Sequence, residues 1–275
     1  ENFFSKTTIT SFPKKNSPLY YKNFPVSLTP DNGVGLKTLL NGNYDFSSIN
    51  FLKEQILKKN KKNLIIYDIG SNLGLWSRQI YIDLKKYEQN INIFAFEANT
   101  YLCELSEINL LPFKNNVKVI KKGISINGGK KNFFVDQQNP SSSSISRLDE
   151  NSTTVVREID TLPANSLIQL IENKNDDNQL IIWKSDVEGE DINLLINLNK
   201  NFLFLIDIFF IEVSSALIVR NSHKFFEICK LYNSFYYVNK DTGKVHEISF
   251  EKIENFVHNI KKITGNKSTD LILVR

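Results

Sequence analysis

The stretch "NLIIYDIGSNLGLWSRQI", residues 63–80, decides the fold. An apolar run from Leu64 to Tyr67 enters Asp68, two glycines follow at Gly70 and Gly74, and a segment of helical period begins after them. Strand, glycine turn and helix in that order are the opening of an α/β unit with a parallel sheet. In an open parallel sheet ligands bind beyond the carboxyl ends of the strands, and the turn after the first strand lines that crevice. "DIGSNLG" therefore sets which ligand fits.

Two ligand classes are disfavoured by residue type. A dinucleotide fingerprint reads G-x-G-x-x-G, its middle glycine letting the backbone approach a pyrophosphate; here Asn72 stands where that glycine belongs. A phosphate loop ends in Gly-Lys-Ser/Thr, which is absent. A carboxylate at Asp68 would repel a pyrophosphate in a low-dielectric crevice and attract a cation. Glu97 ends the next apolar run, 23 residues beyond Gly74, at the distance where an acid accepts hydrogen bonds from ribose hydroxyls. Asp68, Gly70, Asn72, Gly74 and Glu97 together describe an adenosyl ligand whose other end is cationic, S-adenosylmethionine. Two other readings share parts of this pattern. A nicotinamide-dependent oxidoreductase or epimerase shares the sheet and the ribose acid, although Asn72 and Asp68 argue against it and no Tyr-x-x-x-Lys pair stands out as catalytic. A methyltransferase-like domain that binds a partner without turnover is the other.

Working outward, apolar runs at 64–68, 91–97, 117–125, 180–187 and 204–213 read as strands, alternating with helical patterns at about 75–88, 99–110, 165–173 and 190–199. Past 213 come a helix in "NSHKFFEICKLY", a strand "FYYVN", the turn "KDTGK", a polar helix near 249–261 and a final strand "TDLILVR" that tucks back into the sheet, open to antiparallel pairing. The expectation is a doubly wound, mostly parallel seven-stranded sheet with helices on both faces. Between 126 and 162 a strand pair, "KKNFFVD" and "VVREID", flanks a serine-rich loop. Residues 1–60 carry Pro13, Pro18, Pro25 and Pro30 in irregular sequence before a helix near 47–59, as a cap over a sheet edge or cleft would.

The 275 residues are 41% hydrophobic and 23% charged, the balance of a globular chain rather than a disordered one. Net charge is +4, with much of the visible basic clustering in "KKNKKN" at 58–63, which reads as a solvated helix end and not as a nucleic-acid surface. Cys103 and Cys229 are single and far apart, which suits a reducing compartment, the cytoplasm. The longest apolar run, 202–213, is interrupted by Asp207 and too short to span a bilayer. No signal-peptide pattern opens the chain, and it contains no methionine.

With "IYDIGSNLGLWS", "FAFEANTYLCELSEIN", "KKGIS", "VREIDTL", "IIWKSDVEGEDINLL" and "FFIEV" in this order, residues 62–275 resemble FkbM-type methyltransferases. The most specific element is "KSDVEGED"; Ser185 departs from the aliphatic residue common at that position in the family. The resemblance implies the class I methyltransferase fold, S-adenosylmethionine as cofactor, and methyl transfer to an oxygen of a sugar, glycan or hydroxylated small molecule. It divides the chain into an extension, 1–60, and a methyltransferase domain, 61–275, with a hairpin insertion near 126–162.

In-line transfer from a sulfonium asks the protein to position the acceptor and take its proton, which a carboxylate or histidine at the cleft mouth can do. "SDVEGED" supplies Asp186 at a strand end, which could also touch the cofactor, Glu188 in the turn, Gly189 for the bend, and Glu190 and Asp191 opening a helix, where acids also suit the dipole. Glu212 ends the neighbouring strand, and His223 follows Ser222, a candidate helix cap. His246 and His258 read as surface positions. Ser125, ending the third strand, falls where class I enzymes place residues near adenine, and Ser144, Ser146 and Arg147 fall where the family has a loop beside the cofactor. The carboxylates match no oxygen-ligand metal loop, so no metal is expected. No Asn or Asp precedes a Pro-Pro-aromatic segment, so nucleic acid is not the expected acceptor.

Overall fold

From Leu64 to Ile69 every residue is buried, because this strand lies inside a sheet covered on both faces. Its side chains divide with period two. Ile65, Tyr67 and Ile69 join one core, while Leu64 and Ile66 join the other. The computed structural model describes residues 19–21, 24–26, 46–87, 89–136, 143–145, 154–172, 176–239, 242–265 and 268–275.

A short antiparallel pair, β1 (Leu19–Tyr21) and β2 (Phe24–Val26), and α1 (Phe46–Lys58) precede the central strand β3 (Asn63–Ile69). Then come α2 (Leu75–Lys85), β4 (Asn90–Phe96), α3 (Thr100–Leu110) and β5 (Val117–Ile120). β6 (Gly123–Ser125), β7 (Gly129–Asp136) and β8 (Thr154–Pro163) form a separate three-stranded sheet in the order β6-β8-β7. The chain returns through β9 (Gln179–Ser185), α4 (Asp191–Ile196), α5 (Lys200–Leu203), β10 (Ile208–Ser214) and α6 (Ser215–Cys229). It finishes with β11 (Ser234–Val238), β12 (Val245–Ile248), α7 (Phe250–His258), α8 (Ile260–Thr264) and β13 (Ser268–Val274).

The main sheet has the order β12-β11-β13-β10-β9-β3-β4-β5. β5, β4, β3, β9 and β10 pair in parallel, and β13 inserts antiparallel between β10 and β11. This is the doubly wound, Rossmann-like methyltransferase order with its antiparallel late strand. The order reverses between β3 and β9, and the crevice opens there. α1, α2 and α3 cover one face and α4 to α8 the other. The second face holds an aromatic cluster in which Tyr67, Trp183, Phe202 and Phe209 meet at centroid distances of 5.9–6.1 Å. The Tyr67 hydroxyl, deep in that cluster, donates to the Leu167 carbonyl at 2.9 Å.

Several boundaries differ from expectation for local reasons. The run at 117–125 is two strands: a tight Lys122 N to Ile120 O bond of 2.8 Å ends β5, and β6 leaves the main sheet to pair with β8. The 204–213 run starts as a strand only at Ile208, after the Asp207 amide has donated to Ile181 O and its carboxylate has accepted from Ile181 N. The 165–173 segment is a 3-10 helix, Ala164–Leu170, and 190–199 gives way to two short helices. The sheet has eight strands rather than seven, because "VHEI" pairs back on β11 through the turn at Gly243, whose φ is 67°. α6 begins at Ser215, so Ser222 lies inside the helix and is not its cap; the buried stripe of Ile218, Phe225, Ile228 and Cys229 runs back past it. α1, the helix expected near 47–59, buries Ile49, Leu52 and Ile56 against the sheet. Among the described residues no helix is long and apolar enough to cross a membrane.

Candidate functional site

At the crevice β3 ends and the chain turns through Gly70, Asn72 and Gly74, all with positive φ (75°, 53° and 71°). The Gly70 and Ser71 amides both donate to the Phe96 carbonyl, at 3.0 and 2.9 Å, and Asp186 N donates to Ile69 O at 3.0 Å. The turn is thereby laced to β4 on one side and to the end of β9 on the other. A Cβ on Gly70 would stand 2.1 Å from the Asp186 carbonyl oxygen. Gly74 serves another purpose, letting α2 start against α3: a Cβ there would lie 2.6 Å from Ser106 Oγ.

Glu97 holds the same turn from the side. Its Oε2 accepts from Asn72 N at 2.7 Å and its Oε1 from Asn99 N at 2.8 Å. Burial pushes its carboxyl up to about 7, against the lowering effect of those two amides and of Lys184. An ionised carboxylate has about four lone-pair sites, so each oxygen retains capacity toward a hydroxyl beyond its amide.

Beneath the turn lies a buried ion pair. Lys184 Nζ is 2.9 Å from Asp68 Oδ1, with the two side chains 5% and 0% exposed, and Ser77 Oγ donates to Asp68 Oδ2 at 2.6 Å. Lys184 also donates to the Gly70 carbonyl at 3.3 Å and sits 5.8 Å from the Trp76 ring centroid. The cation expected opposite Asp68 is thus supplied by the neighbouring strand, where the two residues are register partners.

An open cleft of about 960 Å³, counting the space at its mouth, begins above these groups. Gly70, Asn72, Glu97, Asp186 and Glu188 all line it. Phe96, Ala98, Leu102 and Ile124 give it apolar walls of the kind a heterocycle needs. Its far rim is the 186–190 loop, in which Glu188 (φ 43°) and Gly189 (φ 94°) take left-handed conformations. A non-glycine residue there carries strain of about 1 kcal/mol or more, retained only where the surroundings enforce it. Two contacts do so: Ser144 Oγ donates to the Glu188 carbonyl at 2.8 Å, and Asp191 Oδ2 accepts from Val187 N at 3.2 Å. Asp191 is 1% exposed, and burial together with the charge of Asp186 pushes its carboxyl up to about 8.

Most of the remaining sequence candidates stand off the cleft. Asp68 lies below its lining, and Gly74 packs against α3. Ser125 Oγ is 2.8 Å from Thr161 Oγ1 and accepts from Gly128 N, tying the small sheet together. Glu212 accepts from Ser268 Oγ at 2.9 Å, one strand over. His223 is exposed on α6. Ser144 is placed by a bridge to Phe134 and, with Ser143 and Ile145, roofs the cleft; Ser146 and Arg147 lie outside the described residues. Sequence reasoning passed over Lys184, Trp76 and Ser71. The signal for Lys184 was legible, since a lysine within an apolar central strand requires a buried partner.

No family model matches the sequence, and no curated protein matches it. Among solved structures, the METTL16 methyltransferase domain aligns over 90% of this chain and 72% of its own, at 11% identity and a TM-score of 0.44. M. capricolum TrmK, in complex with S-adenosylhomocysteine, aligns over 82% and 67%, at 12% and 0.38. Geranyl diphosphate methyltransferase, in complex with GPP and sinefungin, aligns over 83% and 77%, at 6% and 0.40. The strand order establishes the fold independently of these likenesses.

Proposed function

We propose that this chain is an S-adenosylmethionine-dependent methyltransferase of the FkbM type, acting on an oxygen of a sugar, glycan or hydroxylated small molecule. The observation that carries the cofactor is the Gly70–Asn72 turn clamped by buried Glu97 at the point where strand order reverses. The residues fit the ligand in three respects. Glu97 offers ribose hydroxyls an acceptor, the glycine turn allows close backbone approach, and Ser71, a cleft-lining residue, keeps a buried hydroxyl with no hydrogen-bond partner among the described residues. The acceptor class comes from the sequence resemblance, with support from a rim lined by Asp186, Glu188 and Glu190, which suits neutral hydroxylated molecules better than polyanions.

When bound, the cofactor supplies an electrophilic methyl group. The chain supplies orientation and charge. The apolar walls exclude water, Glu97 fixes the ribose end, and the acids of the 186–190 loop favour positive charge at the mouth. Glu188, held over the cleft by Ser144, is the group we assign to receive the acceptor's proton on its carboxylate, with Asp186 beside it.

Glu188→Gln keeps the side chain's shape but removes its basicity. Cofactor affinity is expected to stay within about threefold while turnover falls by 10²-fold or more, the range for a positioned general base. A methyl-transfer assay on a panel of hydroxylated acceptors, with calorimetry on the same samples, checks both; wild-type turnover would remove Glu188 from the chemistry.

Glu97 makes a second expectation. It is ionised above about pH 7 and takes up a proton below it, which replaces an acceptor site by a donor. Cofactor affinity is expected to fall as pH drops from 8 to 6, and Glu97→Gln should give weak binding that no longer changes over that range. A wild-type affinity that is flat in pH would contradict the role given to this acid.

A further inference from the structure

The cleft lining is unbalanced in charge. Glu97, Asp186, Glu188 and Glu190 contribute carboxylates, and Lys184 is the only lysine or arginine among the described residues that line it. Lysine is almost never buried without a partner, and in this strand an apolar residue would pack at lower cost. The fold nevertheless keeps Lys184 nearly enclosed, held by Asp68 and bonded to the carbonyl of Gly70, the residue whose turn admits the ligand.

Resting on the cofactor reading above, we propose that Lys184 binds the carboxylate of the ligand's amino-acid end, with Asp68 as the positioning residue that holds its ammonium under the glycine turn. S-adenosylmethionine carries a sulfonium, an ammonium and a single carboxylate. The first two are drawn to the acids at the rim. The carboxylate is repelled by those acids, and the one cation among the described residues of the lining lies on the floor, at Lys184. A charge-assisted hydrogen bond there, shielded from water, is stronger than its counterpart at the surface.

Two further groups favour that position. Trp76 Nε1 and Ser71 Oγ are buried, have no hydrogen-bond partner among the described residues, and belong to residues lining this cleft. The Trp76 ring lies 5.8 Å from Lys184 Nζ, and Ser71 follows Gly70 directly. Two unused hydrogen-bonding side chains in a lining that also holds this cation suit it to an anion. Asp68 keeps that floor neutral, so a zwitterionic amino acid is accommodated without net charge being buried.

The test compares S-adenosylmethionine with its decarboxylated analogue by calorimetry on the full chain. Wild-type protein is expected to prefer the carboxylated ligand by about tenfold to a hundredfold, the worth of a hydrogen bond to a charged group. Asp68→Asn combined with Lys184→Gln removes both buried charges together, and its folding is verified by thermal melting. This double variant should bind the two ligands equally, the carboxylated one weakened by about tenfold or more and the analogue by less than about threefold. Equal binding of the two ligands by the wild type overturns the proposal without any variant. So does a folded double variant that keeps the preference, or one that loses both ligands in equal measure, as a purely structural pair would. Failure of the wild type to bind either ligand would instead remove the cofactor reading, and this assignment with it.

Discussion

Gly70→Ala is expected to abolish ligand binding in the cleft and to lower the melting temperature by several degrees. The new Cβ would stand 2.1 Å from the Asp186 carbonyl oxygen and about 3 Å from Val187, a backbone collision that no rotamer relieves. The turn cannot swing aside, because the Gly70 and Ser71 amides are bonded to Phe96 O and the end of β9 is bonded back to Ile69. A φ of 75° adds strain of roughly 1–2 kcal/mol for any residue with a side chain. Relief comes only by separating β3 from β9 at the crevice, which displaces the 186–190 loop as well. Melting and calorimetry on one preparation read both effects. Wild-type affinity in a folded Gly70→Ala protein would mean that the ligand does not approach this turn.

Asp68→Ala should be the most destabilising single change at the site, for a reason that concerns Lys184 rather than the ligand. Removing one partner of a fully buried ion pair leaves the other charge without compensation and costs about 3–5 kcal/mol. Lys184 is 5% exposed and keeps the Gly70 carbonyl and the Trp76 ring, neither of which replaces the lost charge, while Ser77 loses its acceptor. In a domain of this size each kcal/mol moves the melting temperature by about 2–4 °C, so a fall of roughly 10 °C is expected. Asp68→Asn with Lys184→Gln removes both charges at once and should be much milder. Denaturant unfolding of wild type, single and double variants measures the difference; equal losses in single and double variants would contradict a tightly coupled pair.

The central strand, its glycine turn and the acid at the end of the next strand were legible in the sequence because each follows from local chemistry: apolar residues with two isoleucines at 64–67, glycine where φ is positive, an acid where a strand ends. The alternation of apolar runs and helical patterns also carried the sheet and its antiparallel late strand. What the sequence left out depends on contacts between distant segments. Asp68 read as an acid at the mouth of the turn awaiting a cationic ligand, since nothing near it in the chain shows that Lys184 is its register partner 116 residues later. The break at Lys121–Lys122 shows in the sequence only as a Lys-Lys-Gly inside an otherwise strand-like stretch, 117 to 125, and its consequence arises from where β8 offers β6 an edge. Gly74 has the spacing of a ligand glycine and the surroundings of a helix-packing one. Ser144 sits in a serine-rich stretch that resembles a surface linker, and only the fold brings it onto the Glu188 carbonyl.

The most direct measurement is calorimetric titration of the purified chain with S-adenosylmethionine, S-adenosylhomocysteine and NAD, with thermal melting alongside. A ligand at a hundredfold its dissociation constant stabilises the native state by about 2.7 kcal/mol, a shift of several degrees here. The account predicts binding and stabilisation by the methyl donor and its product, with NAD silent. Binding of NAD alone, or silence from all three, would contradict it.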